Sequence, residues 1–400
     1  SEEEFFPKGI ALNNLKLRAS WGRLGNENAL GYYDFLALIS TYNTKYQGYV
    51  KGNGDNAWAG SIARGLENRS LKWETTDTKN IGLDFGFFNN KLTGAMNYYY
   101  NQTEELLITK ALPPSAGLNN PILNVGKIRN SGVEVEINWA DSKGGFDYNI
   151  GMNFSTTKNK VVELADKGQV LYGEGLKYGT EHFPTQTRVG KPIGAFYLYK
   201  TNGLFQSNEE ARQYVNADGD EYQPFADAGD IRYVDVNGDG YIDDDDKVYC
   251  GSGIPTLEVN LNFSAGYKGF DLSVVLGSAW GHKIYNGNKY FYEGMNSGSN
   301  FLTSSLNVWT PQNTNTNIPR AIFNDPNGNL KESDRFIEKG DFVRLRQLQL
   351  GYTLPKKIMQ KVFIERLRFY VSGENLFTIT GYDGIDPEFS RVSVLNTGID

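Results

Sequence analysis

Ile81-Gly82-Leu83-Asp84-Phe85-Gly86-Phe87 is followed by Phe88-Asn89-Asn90-Lys91 and then by Leu92, Met96, Tyr98 and Tyr100, so apolar side chains hold one phase on each side of a short polar break. Period two marks a strand with one apolar and one wet face, and an Asn-rich break between two such runs marks a tight hairpin. The pattern recurs in Leu15, Leu17, Ala19 and Trp21, in Val133, Val135, Ile137 and Trp139, and in Phe146, Tyr148, Ile150, Met152 and Phe154. Leu257, Val259, Leu261 and Phe263 continue it, as do Phe270, Leu272, Val274 and Leu276, and near the end Leu367, Phe369 and Val371. Val343 and Leu345 stand in one phase and Leu348, Leu350 and Tyr352 in the other, which predicts a β-bulge near Arg346. About nine strands result.

Connection lengths decide what kind of β protein this is. Phe88–Lys91, Asp141–Gly145 and Tyr267–Phe270 are short hairpins, whereas long linkers cover residues 24–75, 105–125, 158–256 and 281–339. Short and long connections alternate, as in strands crossing a bilayer with short turns on one side and long loops on the other. The fold class expected is therefore all-β, a transmembrane antiparallel β-barrel. Asp84, Glu134, Glu136, Asp147, Glu258 and Asp271 sit on the alternating polar face, where a watery lumen spares them the cost of facing lipid. A soluble two-sheet sandwich carrying insertions is the rival architecture.

Composition permits this reading. A mean hydropathy of −0.49 suits a barrel, whose strands need only about 9–11 residues with alternate ones apolar. No apolar stretch approaches the roughly 18 residues of a membrane helix. The net charge of −7 and the lack of Lys/Arg clusters argue against nucleic acid. One cysteine, Cys250, allows no internal disulfide, and two histidines, His182 and His282, offer no zinc spacing. No catalytic constellation stands out. Ser1-Glu2-Glu3-Glu4 lacks the pattern of a signal peptide, and an odd strand count in an even-numbered class leads us to expect further strands on both sides of the sequence.

The wording of the strands resembles a known family. Leu71-Lys72-Trp73-Glu74-Thr75-Thr76 running into Asn80–Leu92 is similar to a hallmark of the SusC/RagA family of TonB-dependent transporters. Collinear matches follow in Asn130-Ser131-Gly132-Val133-Glu134, Val189–Tyr197, Gly229-Asp230-Ile231, Phe342–Tyr352, Asn375-Leu376-Phe377-Thr378 and Asp386-Pro387-Glu388. The resemblance implies the C-terminal part of a barrel of about 22 strands in the outer membrane, with long loops extracellular. It also implies an N-terminal plug, energy from TonB and a SusD-like surface lipoprotein over the mouth. The plug, the TonB box and the final strand are not in this sequence. The cargo so implied is an oligosaccharide, with a peptide as the alternative class; a siderophore or cobalamin transporter would share the barrel.

One loop carries a sharper motif. Asp235-Val236-Asn237-Gly238-Asp239-Gly240-Tyr241-Ile242-Asp243-Asp244-Asp245-Asp246 has the spacing of a calcium loop. Asp235, Asn237 and Asp239 offer side-chain oxygens, Tyr241 its carbonyl and Asp243 the ninth position. Asp246 replaces the usual bidentate Glu at the twelfth, where Asp243 or Asp245 can share its task. The expected calcium is structural, pinning the 158–256 loop. Asn216-Ala217-Asp218-Gly219-Asp220 lacks the later ligands and reads as a turn. Aromatic residues in the loops, Tyr32, Tyr33 and Trp58 in one and Trp280, Tyr285, Tyr290, Phe291 and Tyr292 in another, are the candidate substrate platforms, with loop packing or an interfacial girdle as the competing role.

Overall fold

The computed structural model describes residues 11–27, 30–42, 49–50, 57–58, 60–63, 65–109, 115, 117–119, 121–124, 126–164, 166–173, 183–293, 300–359, 364–388 and 398. One ten-stranded antiparallel sheet forms its frame. Its strands are β1 (Leu12–Asn26), β2 (Glu74–Phe87), β3 (Leu92–Glu104), β4 (Gly126–Lys143), β5 (Phe146–Thr156), β6 (Lys158–Leu164), β7 (Leu257–Tyr267), β8 (Phe270–Trp280), β9 (Phe342–Thr353) and β10 (Arg368–Thr380). Nine of them pair in chain order from β1 to β10, and β6 pairs with β4 off that path. Sequential neighbours in a single sheet overturn the two-sheet sandwich, because among the described residues the apolar face is exposed and is not covered by a second sheet.

Register converts the alternation of each strand into rows across the sheet. Leu17 pairs with Leu83, Leu83 with Met96, Met96 with Val135, Val135 with Phe154 and Phe154 with Val259. Leu17 is 76% exposed and Val371 78%, so this face is an apolar surface and not a core. The opposite face carries Lys16 paired with Asp84, Glu136 with Asn153 and Asn153 with Asn260. Arg18 donates to Asp84 at 2.7 Å and to Asn97 at 2.9 Å on that side. The expected bulge is present: Val275 pairs with Gln347 and Leu276 with Leu345, leaving Arg346 over.

Turn chemistry fits the hairpins. Gly144 and Gly145 have φ of 62° and 77°, and Lys268 and Gly269 of 47° and 89°, the positive values that match the twist of antiparallel strands. The fourth connection on this side, residues 354–367, is longer and contains a helical turn at Lys356–Met359. The long linker expected to begin at residue 158 instead begins with β6, where the chain kinks after β5 and continues in the same direction along the remaining half of β4. Gly132 permits that bend, since a Cβ there would stand 1.8 Å from the Thr156 carbonyl oxygen.

Most of the apolar core lies in a cap built from the segments after β6 and between β8 and β9, while Ile128 of β4 and Val161 and Leu164 of β6 join Ile108, Leu171 and Ile193 in a cluster at the junction with the sheet. Ala195–Leu198 pairs with Thr185–Thr187 and Val248–Ser252, and Lys283–Tyr285 pairs with Ile337–Lys339. Phe196, Leu198, Tyr285, Tyr290 and Phe336 form one buried cluster; Tyr199, Leu204, Ile231, Tyr233 and Trp309 form another.

Candidate functional site

Polar ties fuse the two cap segments. Asp230 is fully buried; it accepts from Arg320 Nε at 2.8 Å and from Asn329 Nδ2 at 2.9 Å. This gives Gly229-Asp230-Ile231 a structural role, reinforced by Gly229, whose φ of 89° is combined with a Trp309 ring 2.4 Å from where a Cβ would lie. Thr201 donates through its hydroxyl to Asp334 at 2.6 Å, and Gln223 Nε2 donates to Asn327 at 2.8 Å. Lys247 and Glu332, both side chains 3% exposed, form an ion pair at 2.6 Å. Burial works to lower the Lys247 pKa, but Glu332 and Asp244 outweigh it and raise it above the ordinary lysine value. Lys331, with its ammonium over the Tyr199 and Tyr233 rings, is held below the ordinary value by burial.

The acidic loop hangs on this cap through Asp244, which accepts from the Tyr199 hydroxyl at 2.9 Å and pairs with Lys247 at 2.9 Å. Within the loop Asp235 accepts from the amides of Gly238 at 2.7 Å and Gly240 at 2.9 Å. Desolvation pushes the Asp235 carboxyl up, yet these two amides hold it below the usual carboxylate value. Gly240, at φ 94°, makes the turn that brings its N–H back to Asp235. Asn237 Oδ1 accepts from the Asp239 amide at 2.9 Å, and Asp239 Oδ1 from the Tyr241 amide at 3.0 Å. Asp243 and Asp246 cap a 3-10 turn over Asp244–Asp246; buried Asp246 accepts from the amides of Val236, Asn237 and Asp243. The donor set fits a hard cation in kind, all of it oxygen. Among the described residues, no three His, Cys, Asp or Glu side chains are drawn together as a metal cluster.

The aromatic candidates separate into two groups. Tyr285 is 0% exposed and Tyr290 3%, both packed on Phe336 at ring distances of 5.6 Å, so they are cap core and present no face to a substrate. Phe291 packs partly buried on the same cluster. A loop body of this size needs its own apolar interior, and aromatic rings bury the most area per residue. Trp280, Tyr292, Tyr32 and Tyr33 remain exposed. Trp58 lies in a short strand paired with Tyr49; its side chain, like His182, falls outside the described residues. Burial pushes the Cys250 thiol up to about 11.

Residue-by-residue reading missed Arg344 and Arg346. Arg344 donates to Asp386 and, at 3.0 Å, to Glu388, and Arg346 donates to Glu388 at 2.6 Å, clamping the segment after β10 onto the polar face at the bulge. The phase break at Arg346 and the Asp386-Pro387-Glu388 motif were the available signals.

The sequence model described as TonB dependent receptor-like, beta-barrel matches residues 1–376. This chain belongs to that family of outer-membrane β-barrels. TonB-dependent receptor P3 of Formosa agariphila is 31% identical over 97% of the chain and 37% of its own length. TonB-dependent receptor SusC of Bacteroides thetaiotaomicron is 27% identical over 97% of the chain and 36% of its own. The chain thus spans well under half of these relatives. Among solved structures, the RagAB peptide transporter superposes with a TM-score of 0.75 at 24% identity, over 99% of this chain and 40% of that one, a likeness of fold. The resemblance read from the motifs and the barrel read from the alternation both stand.

Proposed function

We propose that this chain forms part of the wall and the outer cap of a TonB-dependent importer of oligosaccharides, working with a SusD-like surface lipoprotein. The observation that carries this reading is the two-faced sheet: an apolar surface fit for outer-membrane lipid backs a continuous polar surface fit for a water-filled path. A cap with its own core at the long-loop ends of the strands suits capture of a hydrated cargo before passage. Import of peptides by the same route is the second reading, favoured by the likeness in fold to RagAB, a peptide transporter. Deleting the gene for the full receptor and measuring uptake of labelled oligosaccharides and oligopeptides tests both. Loss of uptake of one class assigns the cargo, and undiminished uptake of both ends the import reading.

Calcium is the proposed structural ion of the acidic loop. Asp235, Asn237, Asp239 and the Tyr241 carbonyl would hold it, with Asp243 or Asp246 turning from backbone amides to the ion. Bound there it would supply positive charge against the acidic run and stiffen the cap. Calcium titration of the intact receptor is expected to raise cap protection in hydrogen exchange, and Asp239→Ala to abolish the gain. Equal gains in both proteins would remove the ion.

A further inference from the structure

At the long-loop ends of β7, β8 and β9 the polar face hollows into a cleft of about 200 Å³. Glu258 and Asn260 of β7, His282 beyond β8, Phe342 and Arg346 of β9, and Glu388 line it. Its charges are unevenly spent. Arg346 is matched by Glu388, and Arg344 beside it by Asp386 and Glu388. Glu258 makes no ion pair among the described residues.

His282 adds a second observation. It is 6% exposed and lies edge-on to the Phe342 ring, and Nδ1 has no hydrogen-bond partner. The ring bonds to the Pro387 carbonyl; with Nδ1 unpartnered, the donor is Nε2–H. Burial holds the imidazole pKa below its ordinary value, so at neutral pH the ring is uncharged. A neutral ring protonated on Nε2 carries a lone pair on Nδ1. A buried acceptor without a donor is costly and calls for a partner. The cleft therefore combines an unspent carboxylate with an unspent acceptor, and its one guanidinium is already neutralised.

We propose that this cleft is a subsite for a primary ammonium group on the transported molecule, with Glu258 supplying the charge and His282 a hydrogen-bond acceptor. An amino sugar and a peptide amine present the same group, three N–H donors on a positive centre. The assignment rests on the import reading and narrows its cargo.

The test uses the full receptor in detergent, titrated calorimetrically with a glucosamine disaccharide and with trilysine, each against its N-acetylated form. One of the two amines is expected to bind at least tenfold more tightly than its acetylated form, and the pair that does so names the source. Glu258→Gln should bring that ratio close to one. His282→Leu should lower it too, which provides a second variant if the first fails to fold, while Asp147→Asn, on the same face at the opposite end of the strands, should leave it unchanged. Equal binding of amine and amide by the wild type, no binding of either amine, or a ratio unmoved by both variants overturns the subsite. Receptor-dependent uptake of a neutral oligosaccharide with an amine ratio of one rejects the subsite and leaves import standing.

Discussion

The wall and the cap of this molecule obey different solvents. In the wall, large side chains such as Leu17, Ile81 and Val371 are exposed, and the strands are held by their backbone ladder. In the cap, Phe196, Phe205, Tyr233, Tyr285 and Phe336 are wholly buried and charges such as Lys247 and Glu332 are paired out of water. A barrel wall leaves its apolar face for lipid and so needs no core. A loop body standing in water gains nothing from lipid and must build one, which explains why Tyr285 and Tyr290, suggested for a substrate, are packing.

The difference can be broken from either side. Lys247→Met removes the ammonium that pairs with buried Glu332 and should destabilise the cap by about 3–5 kcal/mol, read as lost hydrogen-exchange protection at Thr201–Leu204 and Ile231–Tyr233 with β2 and β3 unaffected. Simultaneous loss in the strands would show that cap and wall are one cooperative unit. Leu83→Arg, in the middle of an apolar row, should cost about 2–4 kcal/mol in bilayers, whereas Asn153→Lys on the polar face should stay within about 0.5 kcal/mol. Similar costs at the two positions would refute the assignment of faces.

Smaller effects sharpen the junction. Gly132→Ala forces a Cβ against the Thr156 carbonyl and should cost about 1–3 kcal/mol, with proteolysis appearing first at the β5–β6 bend. His282 supplies a pH dependence. Its pKa is lowered on folding, so the unfolded state takes up the proton first. The stabilisation is complete above the ordinary histidine value of about 6.5 and is lost as pH falls below it. Cap opening measured by exchange from about pH 7 to 5 should rise, and His282→Gln should flatten the rise.

Much of the wall is legible in the sequence. Nine strands, three hairpins and the bulge at Arg346 follow from period two, because each strand answers to its own two faces. The backbone of the acidic loop was legible for a similar reason, since Asp235, Gly238 and Gly240 meet within a few residues. Strand β6 was missed because Lys158–Leu164 has no distinct period and takes its register from β4. Tyr285 and Tyr290 looked like exposed platforms because loop aromatics carry no local sign of what covers them.

What the sequence determined by itself is the alternation, and with it the barrel wall and its polar and apolar faces, since side chains two apart on a strand share a face whatever the rest of the chain does. What only the tertiary structure decided is the cap: Lys247 meets Glu332 across 85 positions and Asp230 meets Arg320 across 90. No period links residues so far apart, and their partnership exists because two loops exclude water from a shared interior.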